Sequence, residues 1–143
     1  MNVDTFDPSI QSLVHAAVKA KDRAYCPYSN FRVGSAVLCA DGSVVTGVNV
    51  ENASYGLSVC AERVAIWNAV AQGHTEFKGV AISCDVKGSF KGSCGACRQV
   101  FAEFNLEMPL YLVKPDMTVK VVTVAELLPM SFTPQSLKEE RTT

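Results

Sequence analysis

VGSAVLCADGSVVTGVNV, residues 33–50, is the stretch on which the fold turns. Two apolar runs, Val33–Cys39 and Val44–Val50, flank Asp41-Gly42. That dipeptide is a strong hairpin signal, because aspartate and glycine tolerate the positive φ of a tight turn. A hairpin is antiparallel, so the sheet it starts is mixed rather than all parallel. Upstream, Ile10, Leu13, Val14, Ala17 and Val18 recur at helical spacing and predict an amphipathic helix over 8–24, broken at Cys26-Pro27. Downstream, Asn49 to Val59 is polar and irregular, and a helix over Cys60–Ala71 follows. Ser58 is its expected N-cap, Val64, Trp67 and Ala71 its apolar face, and Gly73 its end. Gly79–Cys84 reads as a buried strand, Ser93 as the cap of a third helix over Cys94–Phe104. Leu110–Val113 and Thr118–Val122, joined by a turn at Pro115-Asp116, read as the last strands, before a short helix near Val124–Leu128. Helices interleaved with five strands predict an α/β protein: a three-layer α/β/α sandwich with a mixed five-stranded central sheet, residues 1–143 forming one domain.

Composition narrows the function. Hydrophobic residues make up 48%, charged residues 19%, and the formal net charge is −1. No Lys/Arg stripe interrupts this balance, so a small-molecule substrate is expected rather than a nucleic acid. No export signal opens the chain and no apolar run is long enough to span a bilayer, which points to a cytoplasmic protein with no membrane partner. Six cysteines in such a compartment suggest metal or catalytic chemistry more than disulfides.

That chemistry concentrates in Cys60-Ala61-Glu62-Arg63 and Cys94-Gly95-Ala96-Cys97-Arg98. Three cysteines give a tetrahedral zinc three protein ligands and leave one position open, the pattern of catalytic rather than structural sites. Both groups fall at predicted helix starts, where the positive end of the helix favours thiolates. Three thiolates overcompensate a zinc dication, so a cation is needed beside them. Arg63 and Arg98 are the candidates to donate to the sulfurs. Glu62, two residues from Cys60, is placed to reach a water without binding the metal. Taken singly, these features have plainer readings: a C-x-x-C pair serves in structural zinc sites and redox pairs, and most helical Glu and Arg are solvated surface. A non-catalytic zinc module would need a fourth ligand from Cys26, Cys39, Cys84, His15 or His74. Cys26, Cys39 and Cys84 read as small buried hydrophobes, and the two histidines as surface and loop residues.

The combination resembles the small, homotetrameric cytidine deaminases of the three-cysteine zinc type. The resemblance runs through CPYSNFRVGSAV (26–37), TGVNVENASYG (46–56), VCAERVAI (59–66), CGACRQVFAEF (94–104) and ELLPMSF (126–132). It implies hydrolytic deamination of cytidine and 2′-deoxycytidine in pyrimidine salvage, with one zinc per chain on Cys60, Cys94 and Cys97. By the same resemblance Glu62 is the proton shuttle and the Ala61 N–H contacts the pyrimidine carbonyl. Asn49 and Glu51 hold the ribose hydroxyls, and Phe31 packs on the base. Phe132 and Tyr55 reach the active site of a neighbouring subunit, and the Gly92 carbonyl accepts from the departing amino group; Tyr28 also matches, with a structural and a ligand role both open. Members usually carry Ser/Thr-Pro before the second ligand group where this chain has Gly92-Ser93, which implies a looser carbonyl at that point.

Overall fold

The computed structural model describes residues 1–142. Helix α1 spans Pro8–Ala20, with proline at its first turn where no N–H is missed; a 3-10 turn over Lys21–Arg23 then takes up the rest of the sequence-predicted helix. Strands β1 (Val33–Cys39) and β2 (Val44–Val48) form the expected hairpin. Gly42 sits at φ 91° in the turn, and the Asp41 carboxylate accepts from the Ser43 N–H at 2.9 Å. Helix α2 (Ala61–Ala71), β3 (Phe77–Cys84), α3 (Gly95–Phe104), β4 (Pro109–Val113), β5 (Val119–Thr123) and α4 (Val124–Leu127) follow in order. Thr123 and Glu126 form a capping box at the start of α4.

The strands lie in the order β2-β1-β3-β4-β5. Only β3 and β4 are parallel neighbours; the other pairs are antiparallel, so the sheet is mixed as expected. On one face α1 buries Leu13, Val14 and Ala17 against Ala36 and Ala81. On the other, α2 and α3 bury Ile66 and Phe101 against Val37, Val80 and Leu110. These are the three layers of an α/β/α sandwich. Two glycines set how closely the layers approach. A Cβ on Gly34 would lie 2.2 Å from the Ala17 carbonyl oxygen, and one on Gly47 2.3 Å from the Ala65 nitrogen. Any side chain there would drive α1 or α2 off the sheet.

Two details correct the sequence reading. The N-caps of α2 and α3 are Cys60 and Cys94 themselves, with extended ψ of 152° and 167°. Ser58 instead accepts the Asn52 N–H, and the Ser93 hydroxyl is buried with no hydrogen-bond partner. The buried stripe of α2 is Ala61, Glu62, Ala65, Ile66 and Ala69. The expected face is offset from it: Trp67 is 52% exposed and lines a groove with Val100 and Phe104 of α3. Both stripes have helical spacing, and small alanines win the core side because α2 must approach β2 closely.

Candidate active site

Helix α2 crosses from β2 to β3 and α3 from β3 to β4, both over the same face of the sheet. Each therefore starts where a strand ends, and the two N-termini meet at one edge. Cys60 and Cys94 cap these helices and Cys97 follows one turn into α3. The Cys60 and Cys94 sulfurs are 3.5 Å apart, as are those of Cys94 and Cys97, and all three lie within 4.8 Å of one another. Sulfurs bound to a tetrahedral zinc at about 2.3 Å stand roughly 3.8 Å apart, so the donor set fits that ion before any rearrangement. Among the described residues no fourth cysteine, histidine or carboxylate joins the group. Cys39 is buried in the core, Cys26 lies half-buried outside the pocket, and Cys84 forms part of the pocket wall.

The thiols do not ionise independently. A hydrogen bond from Cys97, aided by Arg63, lowers Cys60 to about 5. The same interaction with Cys60, together with burial, pushes Cys97 well up. One proton leaves easily and the next is held, so full deprotonation calls for a cation among the sulfurs. Arg63 Nη2 stands 3.5 Å from the Cys60 sulfur, and its guanidinium lies over the Trp67 ring at 5.9 Å. Residues three apart share a helix face, which is why Arg63 reaches Cys60. Arg98 follows Cys97 directly and points elsewhere, correcting the expectation that it donates to sulfur. Its Nε donates to the Ser93 carbonyl at 2.7 Å and its Nη1 to the Leu127 carbonyl at 2.9 Å.

Glu62, at the second position of α2, is 4% exposed. Burial raises its pKa, opposed chiefly by its own backbone N–H at the start of the helix. A carboxyl so displaced exchanges protons more readily near neutral pH than an ordinary glutamate. It lines a cavity of about 300 Å³ together with Phe31, Asn49, Glu51, Cys60, Gly92 and Cys94. The Asn49 amide accepts the Val33 N–H at 3.0 Å and donates to the Phe31 carbonyl at 2.7 Å, which leaves one N–H and one lone pair unused. Glu51 accepts the N–H groups of Tyr28 (3.0 Å) and Ser29 (3.1 Å) and bonds the Ser29 hydroxyl; that hydroxyl is the main cause of its lowered pKa. Ala61 is buried at the first position of α2, where its N–H has no intrahelical partner.

Two expected residues are not brought to this chain's own cavity. Tyr55 is 74% exposed and packs edge-on against Tyr28 with centroids 5.8 Å apart; Phe132 is 60% exposed, its carbonyl held by Gln99 at 2.8 Å. Sequence reasoning missed Lys91 and Cys84 on the cavity wall, since neither falls in a spacing that signals a site. It also missed the ion pairs that seat the Phe31 segment: the buried Lys21 contacts Asp85 at 2.7 Å, and Arg32 bonds the same carboxylate at 3.0 Å.

Comparison with known proteins bears on this arrangement. Residues 8–112 match the cytidine and deoxycytidylate deaminase zinc-binding region. A probable cytidine deaminase of Dictyostelium discoideum is 43% identical over 128 residues, covering 90% of this chain and 86% of that protein. A cytidine deaminase of Sporosarcina psychrophila is 43% identical over 90% of this chain and 94% of its own. The crystal structure of cytidine deaminase from Burkholderia pseudomallei superposes with a TM-score of 0.81 at 42% identity, covering 85% of this chain and 97% of that one.

Proposed function

The chain belongs to the cytidine and deoxycytidylate deaminase zinc-binding family, and from that premise we propose that it hydrolyses cytidine and 2′-deoxycytidine to uridine and 2′-deoxyuridine with release of ammonia. It is a zinc-dependent enzyme acting on the cytosine C–N bond. The observation that carries the reading is the meeting of three thiols with a buried carboxyl in one cavity. Held by Cys60, Cys94 and Cys97, one zinc per chain supplies a Lewis acid that lowers the pKa of water toward about 7.

The remaining work falls to the chain's own groups. Glu62 takes a proton from the attacking water and delivers it to N3 of the ring, then takes the proton of the new C4 hydroxyl and passes it to the amino group, which leaves as ammonia while C4 becomes a carbonyl. Its buried position suits proton transfer, since burial disfavours the charged carboxylate and raises its affinity for a proton. The Ala61 N–H donates to the pyrimidine 2-carbonyl. The free N–H of Asn49 and the lone pairs left on Glu51 receive the ribose hydroxyls. Phe31 packs on the base, and the Gly92 carbonyl accepts from the C4 amino group. Arg63 offsets the excess negative charge of three thiolates.

Phe132 and Tyr55 serve a neighbouring subunit in a homotetramer; their exposure in the single chain supports this reading. A place in pyrimidine salvage, in the cytoplasm, follows from the substrate. A net charge of −1 argues against a nucleic-acid substrate. Among the described residues no helix is long and apolar enough to cross a membrane. The test is incubation of purified protein with cytidine, following loss of the cytosine absorbance band and ammonia release beside zinc content. Turnover with about one zinc per chain is expected; a zinc-loaded protein that releases no ammonia from cytidine or 2′-deoxycytidine would refute the reading.

A further inference from the structure

After β3 ends at Cys84 and Asp85 is held by Lys21 and Arg32, residues 86–93 lead on to Cys94 and carry Gly92 on the cavity wall. Among the described residues they take part in no backbone–backbone hydrogen bond. The Gly92 position has no side chain, and the hydroxyl of Ser93 is unpartnered. Among the described residues, the hydrogen bond that reaches this loop is Arg98 Nε to the Ser93 carbonyl, 2.7 Å. The same guanidinium is itself fixed by the Leu127 carbonyl at 2.9 Å. It also fills the space a side chain at 92 would need: a Cβ on Gly92 would sit 3.1 Å from Arg98 Nη2 and 3.6 Å from Leu127 Cδ1. Farther back, Lys114 lies over the Phe90 ring at 4.9 Å, which tethers the middle of the loop but not its last peptides.

We propose that Arg98 is a positioning residue for the reaction: its guanidinium clamps the Gly92-Ser93 peptides so that the Gly92 carbonyl faces the amino group that leaves C4. The inference rests on the reading of Gly92 given under Proposed function and adds what holds that carbonyl in place. The physical argument is one of missing alternatives. A peptide segment without ladder bonds or a proline samples many orientations, and fixing it costs conformational entropy. A bidentate, planar cation bridging two carbonyls on different elements supplies that order in advance. Glycine at 92 is part of the device, since it lets the guanidinium lie against the main chain.

The experiment compares native zinc-loaded enzyme with Arg98→Gln by three readouts: steady-state deamination of cytidine, inhibition by uridine, which lacks the amino group, and trypsin cleavage after Lys87 and Lys91. With zinc content and thermal midpoint monitored, Arg98→Gln is expected to lower kcat about 10- to 100-fold, with KM and the uridine inhibition constant changing less than threefold. Cleavage in the loop should quicken at least tenfold. If the loop is cut no faster, or if uridine binding weakens as much as kcat falls, the clamp is wrong. Should Arg98→Gln fail to fold, Gly92→Ala tests the same contact from the other side. It should lower kcat several-fold and expose Lys91 to trypsin without shifting the thermal midpoint; unchanged kcat and cleavage would overturn the proposal. A native enzyme inactive on cytidine would defeat the substrate reading instead, and the trypsin comparison would still judge the clamp.

Discussion

Cys60 is reached through a segment tied on both sides, and Cys94 through one that hangs almost free. Before Cys60, Val50 and Val59 exchange backbone hydrogen bonds of 3.0 and 2.9 Å, and the Glu51 N–H donates to the Tyr25 carbonyl at 2.8 Å. Before Cys94, residues 86–93 have no backbone–backbone hydrogen bond among the described residues and are held by side chains, Arg98 at the Ser93 carbonyl and Lys114 over the Phe90 ring. The half of the site that carries Asn49, Glu51 and the start of α2 with Glu62 is thus tied by backbone hydrogen bonds. The half that carries Gly92 is built of loop, with order supplied by side chains. A hydrolase gains from this division: the attacking side must be preorganised, while the departing side must let a product go.

The comparison can be broken at several points. On the rigid half, Glu62→Ala should retain zinc and fold yet lose about 10²–10⁴ in kcat, measured by ammonia release. Loss of the metal in that variant would mean Glu62 serves the cluster rather than the proton. Next, Arg63→Ala should weaken zinc affinity by roughly 10–100-fold in a chelator competition, because the thiolates lose their nearest cation. Unaltered affinity would leave the helix N-termini as sufficient compensation. Third, Gly47→Ala should destabilise by about 1–3 kcal/mol in urea, since the added methyl meets α2 backbone. Gly92→Ala meets only the end of a flexible side chain and should stay within about 0.5 kcal/mol. Equal costs at the two glycines would erase the contrast between the halves.

The smallest effect expected concerns Asp85, which ties the Phe31 segment to the 3-10 turn after α1 through Arg32 and Lys21. Its hydrogen bond to Arg32, then that to Lys21, lowers its pKa. A depressed carboxylate adds stability above its unfolded pKa of about 3.9, and that stability is lost as pH falls through the lower native value. Asp85→Asn should therefore cost about 1 kcal/mol at neutral pH, a modest figure for a half-exposed partner, and progressively less as pH falls below about 3.9. Identical urea midpoints for variant and native protein at neutral pH would dismiss the pair as ornament.

Much of this was legible in the sequence. The hairpin at Asp41-Gly42, the element order, the mixed sheet and the two cysteine groups at helix starts all follow from local signals that the tertiary structure leaves intact. What was not legible depends on who stands opposite. Ser58 and Ser93 have the chemistry of N-caps, but the cysteines occupy the cap positions. Arg63 and Arg98 each lie close in sequence to a cysteine of the cluster, yet helical phase turns one toward sulfur and the other toward carbonyls. Trp67 looks like core on its own helix and is exposed because alanines let α2 sit closer. Lys21 gives no hint of burial until Asp85 arrives from β3.

X-ray absorption at the zinc edge of the purified protein tests the central claim most directly, because it counts the atoms around the ion. Three sulfurs at about 2.3 Å and one oxygen or nitrogen near 2.0 Å is the result expected. Four sulfurs, or no zinc in the folded protein, would contradict a catalytic centre at Cys60, Cys94 and Cys97.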